Sequence, residues 1–227
     1  MKPLVLFDIG GVQLQLDYHS MFDELGRLSG KPAEDVKSIY VASGIEDQFM
    51  RGRITTDMYR DSLSEMLEIG IDQEELKRIL KLSWDGTSQP VLDVKRELID
   101  NGYPVGNFSN ISVFARGELT RKYREIFESD TSYPGVYSYL VGEIKPHENM
   151  YSKVNGFDHV VFIDDNQSYV AAGVKKGWNG IHFTPYVDPS EAVRSSQEDM
   201  QVDGDGFRVV DSVEELVSAL RDFGLKF

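Results

Sequence analysis

Short apolar runs alternate with amphipathic segments along most of this 227-residue chain, and this alternation restricts the possible folds more than any other feature. Strands that alternate with helices favour a parallel sheet with helices packed on both of its faces. Helical periodicity predicts helices between most of the strands, as over 89–102 and 212–224. The apolar runs bounded by turn residues predict strands at 3–8, 103–108, 136–140, 159–164, 179–183 and 207–210.

The segment from Asp17 to about Trp84 breaks the alternation, because it contains no strand pattern. Its four stretches DYHSMFDELGRLSG, KPAEDVKSIYVASG, TTDMYRDSLSEMLEIG and DQEELKRILKLSW have the periodicity of amphipathic helices. We therefore predict that residues 17–85 form an all-helical cap subdomain inserted after the first strand. Residues 1–16 and 86–227 would then form the α/β core.

Charge and composition exclude several classes of function. The net charge of −14, from 38 acidic and 24 basic residues, argues against non-specific binding to nucleic acid or to an anionic membrane. The absence of cysteine excludes disulfides, zinc–thiolate sites and thiol nucleophiles. No apolar run approaches the roughly 18 residues of a membrane span, and the N-terminus lacks a signal-peptide pattern. We expect a cytoplasmic monomer or homodimer with a small-molecule partner.

Asp8 ends the first predicted strand, in the stretch LFDIGG. An aspartate in this place can cap a turn, but its carboxylate can also attack phosphorus and form an aspartyl phosphate. Gly10 and Gly11 allow the backbone to bend tightly and to approach a phosphate or a metal. Ligands bind at the carboxyl ends of strands in open α/β sheets, so this position is a candidate site.

Two further predicted strands are followed by polar residues. Ser109 and Asn110 precede a helix, where they can cap its N-terminus or bind phosphate oxygens through a hydroxyl and a backbone N–H. Lys145 precedes Pro146, which is favoured at the first position of a helix. Lys145 can therefore project over the strand ends, although an ordinary exposed lysine is the alternative.

Asp164 and Asp165 follow the apolar run of a fourth strand, in VVFIDDN. Two adjacent acids after a buried strand are costly unless they are paired or bind a metal. Mg²⁺ favours one or two carboxylates together with water and substrate phosphate. The pair is therefore a candidate metal site, and a turn with two acids is the alternative.

These four segments, in this order over about residues 3–183, resemble the motifs of the haloacid dehalogenase superfamily. The similarity is to its phosphatase-rich branch with a helical cap after the first motif, and DIGGV resembles the opening of sugar-phosphate phosphatase-like relatives. The resemblance implies a Rossmann-like core and a Mg²⁺-dependent phosphatase. Such an enzyme hydrolyses a small phosphorylated metabolite, here expected to be a sugar phosphate, through an aspartyl-phosphate intermediate.

The resemblance also implies roles for the residues at the strand ends. Asp8 is the expected nucleophile, and Lys145 is expected to neutralise the phosphoryl charge. Ser109 is expected to hold the phosphoryl group, together with the backbone of Asn110. The backbone at Gly10 and Gly11 is expected to approach the same group.

The Mg²⁺ ion implied by the resemblance would bind Asp8, the Gly10 carbonyl and Asp165, with Asp164 in a secondary position. Gly177 lies twelve residues after Asp165, as the family pattern requires. The expected charge balance is physically reasonable, because a cation and Lys145 would offset the repulsion between a phosphate dianion and an aspartate.

Two positions depart from the family pattern. Gly10 stands where the phosphatases usually carry a second aspartate, which protonates the leaving group and then activates water. General acid–base catalysis contributes roughly 10²–10⁴-fold, so we expect slow turnover or a substrate with a good leaving group. Tyr169 stands where Asp or Asn commonly supports the metal, which puts the metal affinity in question.

Two other functions stay open at this point. A metal-independent dehalogenase would use the same aspartate to attack carbon, but relatives of that type usually have an aromatic residue at the position of Gly10. A degenerate module that binds phosphate or a protein without turnover is the second alternative, since a fold by itself does not establish activity. Arg51 and Arg53 of the predicted cap are candidate anion contacts or members of a solvated charged face.

Overall fold

A six-stranded parallel sheet forms the centre of the computed structural model, which describes residues 2–186 and 204–227. Its strand order is β5-β4-β1-β6-β7-β8, so the Rossmann-like α/β prediction is confirmed. Residues 187–203 of the predicted core, together with Met1, lie outside the described residues. The strands of this sheet are β1 Leu4–Phe7, β4 Val105–Ser109, β5 Val136–Tyr137, β6 Val160–Asp164, β7 Asn179–Phe183 and β8 Phe207–Val210.

Eleven α-helices and one 3₁₀-helix occur among the described residues. The helices at 89–102 and 212–224 were expected from periodicity, and both are present. Ser212 caps the second of them by accepting a hydrogen bond from the Glu215 backbone N–H. The helices are α1 Tyr18–Ser29, α2 Ala33–Ser43, α3 Ile45–Met50, α4 Thr56–Leu67, α5 Gln73–Lys81, α6 Gln89–Asp100, α7 Val113–Lys122, the 3₁₀-helix Arg124–Thr131, α8 Ser138–Val141, α9 Glu148–Tyr151, α10 Gln167–Lys175 and α11 Val213–Asp222.

The side chains of each central strand alternate between two separate apolar clusters. In β1, Val5 and Phe7 point to a cluster that includes α6 and α11, whereas Leu4 and Leu6 point to a cluster with Trp178. A strand that is buried on both faces reads as a continuous apolar run. This explains why LVLF shows no polar alternation.

Helices α1 to α5 form a helical block around an apolar core of its own. Inside it, the hydroxyls of Tyr40 and Tyr59 lie 2.7 Å apart, and the rings of Phe49 and Tyr59 stack at 4.3 Å. The four helices expected from periodicity are present, and the short helix α3 is an addition. The division into a core and a cap at residues 16/17 and 85/86 stays a prediction.

The predicted strands differ from the structure in two places. The strand expected at 136–140 ends at Tyr137, because the chain turns into α8 and that helix closes at Gly142 with a φ of 82°. The sequence also did not predict a two-stranded antiparallel ribbon of β2 Leu14–Leu16 and β3 Trp84–Thr87. Strands of three and four residues give too little alternation to recognise, and this ribbon joins the two ends of the helical block.

Candidate active site

Three carboxylates meet at one edge of the central sheet. Asp8 follows β1 directly, Asp164 ends β6, and Asp165 follows it. Because β1 and β6 are neighbouring parallel strands with Phe7 opposite Ile163, their carboxyl ends meet at this edge. One oxygen atom from each carboxylate lies within 4.8 Å of the others. The arrangement brings together the nucleophile candidate and the metal candidates.

Lys145 lies beneath these carboxylates and is completely buried, so it is not an ordinary exposed lysine. Its Nζ lies 2.5 Å from Asp164 Oδ2 and 3.2 Å from Asp8 Oδ1, and it donates to the Phe108 carbonyl at 3.0 Å. Burial lowers the pKa of Lys145, but Asp164 and Asp8 outweigh burial and raise the pKa above its usual value. The side chain is therefore a fixed ammonium group beside Asp8.

Asn110 holds the backbone of Lys145 in place. Its Oδ1 accepts from the Lys145 N–H at 2.7 Å, and its Nδ2 donates to the Lys145 carbonyl at 3.3 Å. Ser109 is the buried last residue of β4 and lies beside Asp8 in the lining of the same cavity. Both residues were predicted from the sequence as candidates for the site, whereas the contact between the Asn110 side chain and Lys145 was not predicted.

Gly10 and Gly11, the two glycines after β1, leave room for different neighbouring side chains. Gly11 has a φ of 71°, and a Cβ there would lie 2.2 Å from Asp165 Oδ2, so the approach of Asp165 requires glycine. A Cβ on Gly10 would lie 2.8 Å from Leu16 Cδ1. An apolar methyl group therefore occupies the space beside the position where relatives carry a second acid.

The carboxylate cluster fits a divalent cation. Asp8 Oδ1 is buried and has no hydrogen bond, whereas both oxygens of Asp164 are engaged, one by Lys145 and one by the Asn166 N–H at 2.8 Å. Burial raises the pKa of Asp164 well above its usual value, Lys145 opposes this, and Asp8 and Asp165 add to it through like charge. Within the cluster, Asp8 Oδ1 is therefore the carboxylate oxygen to which a bound cation would supply a missing partner.

A buried polar network, which was not predicted from the sequence, supports the backbone of Asp8. Gln13 Nε2 donates to the Asp8 carbonyl at 2.8 Å and to Asn107 Oδ1 at 3.0 Å. Lys95 Nζ donates to Gln13 Oε1, Asn107 Oδ1 and the Ile126 carbonyl at 2.6–2.8 Å. Burial lowers the pKa of Lys95 to about 7. The only sequence signal for this network was the presence of polar residues within apolar segments.

The contacts of Tyr169 and His182 were also not predicted from the sequence. Lys145 Nζ lies 5.1 Å from the centre of the Tyr169 ring, and the Tyr169 carbonyl accepts from the Tyr151 hydroxyl at 2.7 Å. His182 Nε2 lies 3.0 Å from the Asp165 carbonyl oxygen. Tyr169 therefore contributes an aromatic contact to the lysine at the position where relatives carry an acid or amide.

Arg51 and Arg53 of the helical block pair with the same carboxylate, Glu143. Arg53 approaches it at 3.1 Å and also lies 3.4 Å from the Gly142 carbonyl. Both arginines thus join the block to the segment before Lys145. This pairing gives the two arginines a structural contact that the sequence did not indicate.

Two cavities open between the helical block and the sheet edge. The apolar cavity has a volume of about 100 Å³ and includes Asp8, Ser109 and Asn110 in its lining. The polar mouth has a volume of about 470 Å³ and includes Lys145, Arg51, His147 and Tyr169. The apolar side chains of the first cavity are Ile9, Leu14, Leu16, Met21, Phe49, Met50, Leu80, Trp84, Ile111, Phe114, Ala115 and Leu119.

Comparison with known proteins gives structural but not sequence matches. No protein-family model matches the chain, and neither does any curated protein sequence. A haloacid dehalogenase family enzyme from Bacteroides thetaiotaomicron, in complex with magnesium and inorganic phosphate, is similar at a TM-score of 0.72. The two share 21% sequence identity, and the match covers 86% of this chain and 100% of that one.

Two other solved structures are similar to this chain. A predicted hydrolase of the same superfamily from Porphyromonas gingivalis has a TM-score of 0.67 at 20% identity, covering 79% of this chain and 90% of that one. An L-2-haloacid dehalogenase from Xanthobacter autotrophicus, with chloropropionic acid covalently bound, has a TM-score of 0.62 at 16% identity over 100% of both chains.

The sheet order, the strand-end residues and these similarities together define the class of fold. The chain has the fold of the haloacid dehalogenase superfamily, as the sequence motifs predicted. Among residues 2–186 and 204–227, no helix combines the length and the apolar character needed to cross a lipid bilayer.

Proposed function

We propose that this protein is a Mg²⁺-dependent phosphatase that hydrolyses a small phosphate monoester through an aspartyl phosphate on Asp8. The observation that carries the proposal is the buried contact of Lys145 Nζ with Asp8 Oδ1, at 3.2 Å, inside a cluster of three carboxylates. A fixed cation beside a nucleophilic carboxylate suits the transfer of an anionic phosphoryl group.

In the proposed reaction, an Asp8 carboxylate oxygen attacks phosphorus and the ester P–O bond breaks. The bond's electron pair leaves with the alcohol oxygen, and water then hydrolyses the Asp8 acyl phosphate. The ammonium of Lys145 compensates the charge of the phosphoryl oxygens, and Asn110 keeps that lysine in place. Ser109 and the Asn110 backbone would hold the phosphoryl group, and the backbone at Gly10 and Gly11 would approach it.

The proposed cofactor is Mg²⁺, which Asp8, the Gly10 carbonyl and Asp165 would hold. Asp164, which contacts Lys145, would have a secondary role. When bound, the ion supplies charge neutralisation for the phosphate and for the carboxylate cluster. Magnesium and phosphate in the similar enzyme from Bacteroides thetaiotaomicron support this choice.

The absence of an acid at Gly10 restricts the proposed activity. Without a group that protonates the leaving oxygen and then activates water, both chemical steps lose a contribution of roughly 10²–10⁴-fold. The enzyme should therefore be slow, or should use substrates whose leaving group departs easily. A sugar phosphate stays a prediction from the sequence.

Two alternative functions, dehalogenation and binding without turnover, would give different experimental results. Dehalogenation is supported by the similar L-2-haloacid dehalogenase, and in such a reaction Asp8 would attack carbon without a metal. A binding module would retain a phosphate analogue and release no product. Mg²⁺ dependence and turnover therefore separate the three functions.

The test of the proposal is phosphate release from a panel of small phosphate monoesters, measured with Mg²⁺ and with EDTA, beside Asp8→Asn. Release that needs Mg²⁺ and is lost in Asp8→Asn supports the phosphatase. Chloride release from a 2-haloacid in EDTA supports the dehalogenase instead. Tight binding of phosphate with no release from any substrate supports the binding module.

A further inference from the structure

The apolar cavity has Asp8, Ser109 and Asn110 in its lining, so a leaving group on a phosphoryl group at Asp8 can extend into it. Two aromatic pairs form part of its wall. The rings of Phe49 and Tyr59 stack at 4.3 Å, and those of Trp84 and Phe114 lie 6.4 Å apart. Aromatic walls of this kind favour an aromatic guest in offset or edge-to-face contact.

Four hydroxyl groups in the wall of this cavity already have partners within the protein. The hydroxyls of Tyr40 and Tyr59 lie 2.7 Å apart, and the Ser83 hydroxyl donates to the Leu80 carbonyl at 2.7 Å. The Ser112 hydroxyl accepts from a backbone N–H at 3.1 Å. A buried sugar ring would bring several hydroxyls that each need a hydrogen-bond partner. The hydroxyls of Tyr40, Tyr59, Ser83 and Ser112 would have to exchange a bond within the protein to provide one.

The charge of the cavity excludes an anionic leaving group. Across the described residues, no lysine, arginine or histidine lines it, whereas Asp8 and Glu46 do. A second phosphate or a carboxylate on the substrate would find no cationic side chain in this lining, and the charged side chains there are acidic. The basic residues Arg51 and His147 line the polar mouth instead.

The volume of the cavity corresponds to a small apolar group. Its volume of about 100 Å³ is of the same order as the roughly 150 Å³ of an apolar cavity that holds one benzene ring. A single six-membered ring is therefore the scale of the group that fits.

The lack of an acid at position 10 is a separate reason to expect an aromatic leaving group. Leu16 Cδ1 stands 2.8 Å from the place of a Gly10 Cβ, so no acid can protonate the leaving oxygen from there. A phenol ionises near pKa 10, whereas an aliphatic alcohol is a far weaker acid, similar to water. An aryl oxygen can therefore leave as its anion where a sugar or alkyl oxygen needs a proton.

We propose that the substrate is an aryl phosphate, the phosphate monoester of a small uncharged aromatic alcohol, an inference that rests on the proposed phosphatase function. An Asp8 oxygen bonds to phosphorus, and the P–O bond to the aryl group breaks. The electron pair leaves on the aryl oxygen, which takes a proton from water. A second water molecule hydrolyses the acyl phosphate.

The test compares phenyl phosphate, cyclohexyl phosphate and glucose 1-phosphate, because the first two share size and apolarity but differ in leaving group. In Asp8→Asn, calorimetry should give similar Kd values for phenyl and cyclohexyl phosphate, each about tenfold below that of glucose 1-phosphate. In the wild type with Mg²⁺, kcat/KM, which reports the step in which the leaving group departs, should be roughly hundredfold higher for phenyl phosphate than for cyclohexyl phosphate.

Equal or tighter binding of glucose 1-phosphate overturns the aryl assignment, and so does equal kcat/KM for the phenyl and cyclohexyl esters. If no ester is hydrolysed while Asp8→Asn still prefers the two apolar esters, the phosphatase function fails and the ligand class stands. The two proposals can therefore fail separately.

A matched pair of variants on α7 tests the cavity itself. Phe114→Gln places an amide in the wall and should raise KM for phenyl phosphate about tenfold, with inhibition by inorganic phosphate unchanged. Val113→Gln makes the same change at the neighbouring residue, which is 53% exposed and not in the lining, and should leave KM unchanged. Unchanged KM in Phe114→Gln overturns the assignment.

Discussion

Gly11 and Asp165 fit together so closely that a Cβ on the glycine would lie 2.2 Å from the carboxylate oxygen Oδ2. The glycine also has a φ of 71°, which other residues rarely adopt. The loop after β1 thus admits the Asp165 carboxylate by having no side chain at this position. In our account, this approach lets Asp165 share a cation with Asp8.

Gly11→Ala should weaken Mg²⁺ binding by at least about tenfold, because the new methyl group displaces Asp165. The matched control is Gly30→Ala, where φ is 68° but no atom lies within 4 Å of the new Cβ. Both variants should lose about 1–2 kcal/mol of unfolding free energy through backbone strain. Calorimetric titration with Mg²⁺ separates them, and equal Mg²⁺ affinity in both would contradict the assigned role of Asp165.

Gly10→Asp combined with Leu16→Ala should supply the missing acid, because the second change removes the methyl group that the new Cβ would meet. We expect kcat/KM for cyclohexyl phosphate to rise roughly hundredfold, with a smaller rise for phenyl phosphate, whose leaving oxygen needs no proton. Gly10→Asn with Leu16→Ala is the control of equal shape that lacks an acid. An equal rise with Asn would show that space, and not the proton, limits the rate.

Lys145→Met should abolish turnover and also destabilise the fold, since it leaves Asp8 and Asp164 buried without their cation. Removing one partner of a buried ion pair typically costs about 3–5 kcal/mol. Saturating Mg²⁺ should restore part of this loss, which urea unfolding with and without the ion measures. The exposed Lys176→Met is the control. A stable Lys145→Met variant insensitive to Mg²⁺ would contradict the proposed balance of charge.

Lys95 should make stability depend on pH in a definite direction. Burial lowers its folded pKa to about 7, whereas an unfolded lysine titrates near 10.4. Between these values the unfolded chain binds more protons, so the Lys95 contribution to the unfolding free energy rises with pH, by up to about 1.4 kcal/mol per unit. Below about pH 7 both states are protonated and the contribution is constant.

The measurement is the difference in unfolding free energy between wild type and Lys95→Met, from urea titrations at about pH 6, 7.5 and 9. The unfolding free energy of the wild type should rise relative to that of the variant mainly from about pH 7.5 to 9, with a smaller rise from about pH 6 to 7.5. A difference that is flat across the range would mean that the hydrogen bonds to Gln13, Asn107 and Ile126 keep Lys95 charged.

Most of the sheet and much of the candidate site could be predicted from local sequence. β1 and β6 are continuous apolar runs, and the polar residues at their ends are adjacent in the chain, so Asp8, Asp164 and Asp165 stood out. Parallel strands then bring these ends together at one edge. The same reasoning applied to Ser109 after β4.

The parts that could not be predicted depend on contacts between distant segments. The hydrogen bonds of Lys95 reach residues that are 12 to 82 positions away in the chain, and these residues form no local pattern. The apolar cavity needs side chains from the ribbon, α3 and α7 together. Leu16 next to Gly10 is a similar case, because only the bend of the chain after β1 brings this side chain back over the glycine.

The most direct test of the account is whether a phosphoryl group appears on Asp8 during turnover. Because Gly10 supplies no base for water, the acyl phosphate should hydrolyse slowly and accumulate. The wild type with phenyl phosphate and Mg²⁺, quenched in acid and analysed by peptide mass spectrometry, should carry one phosphoryl group on the peptide with Asp8, and Asp8→Asn should carry none. Phosphate release without phosphorylation of Asp8 at any quench time would contradict the central claim.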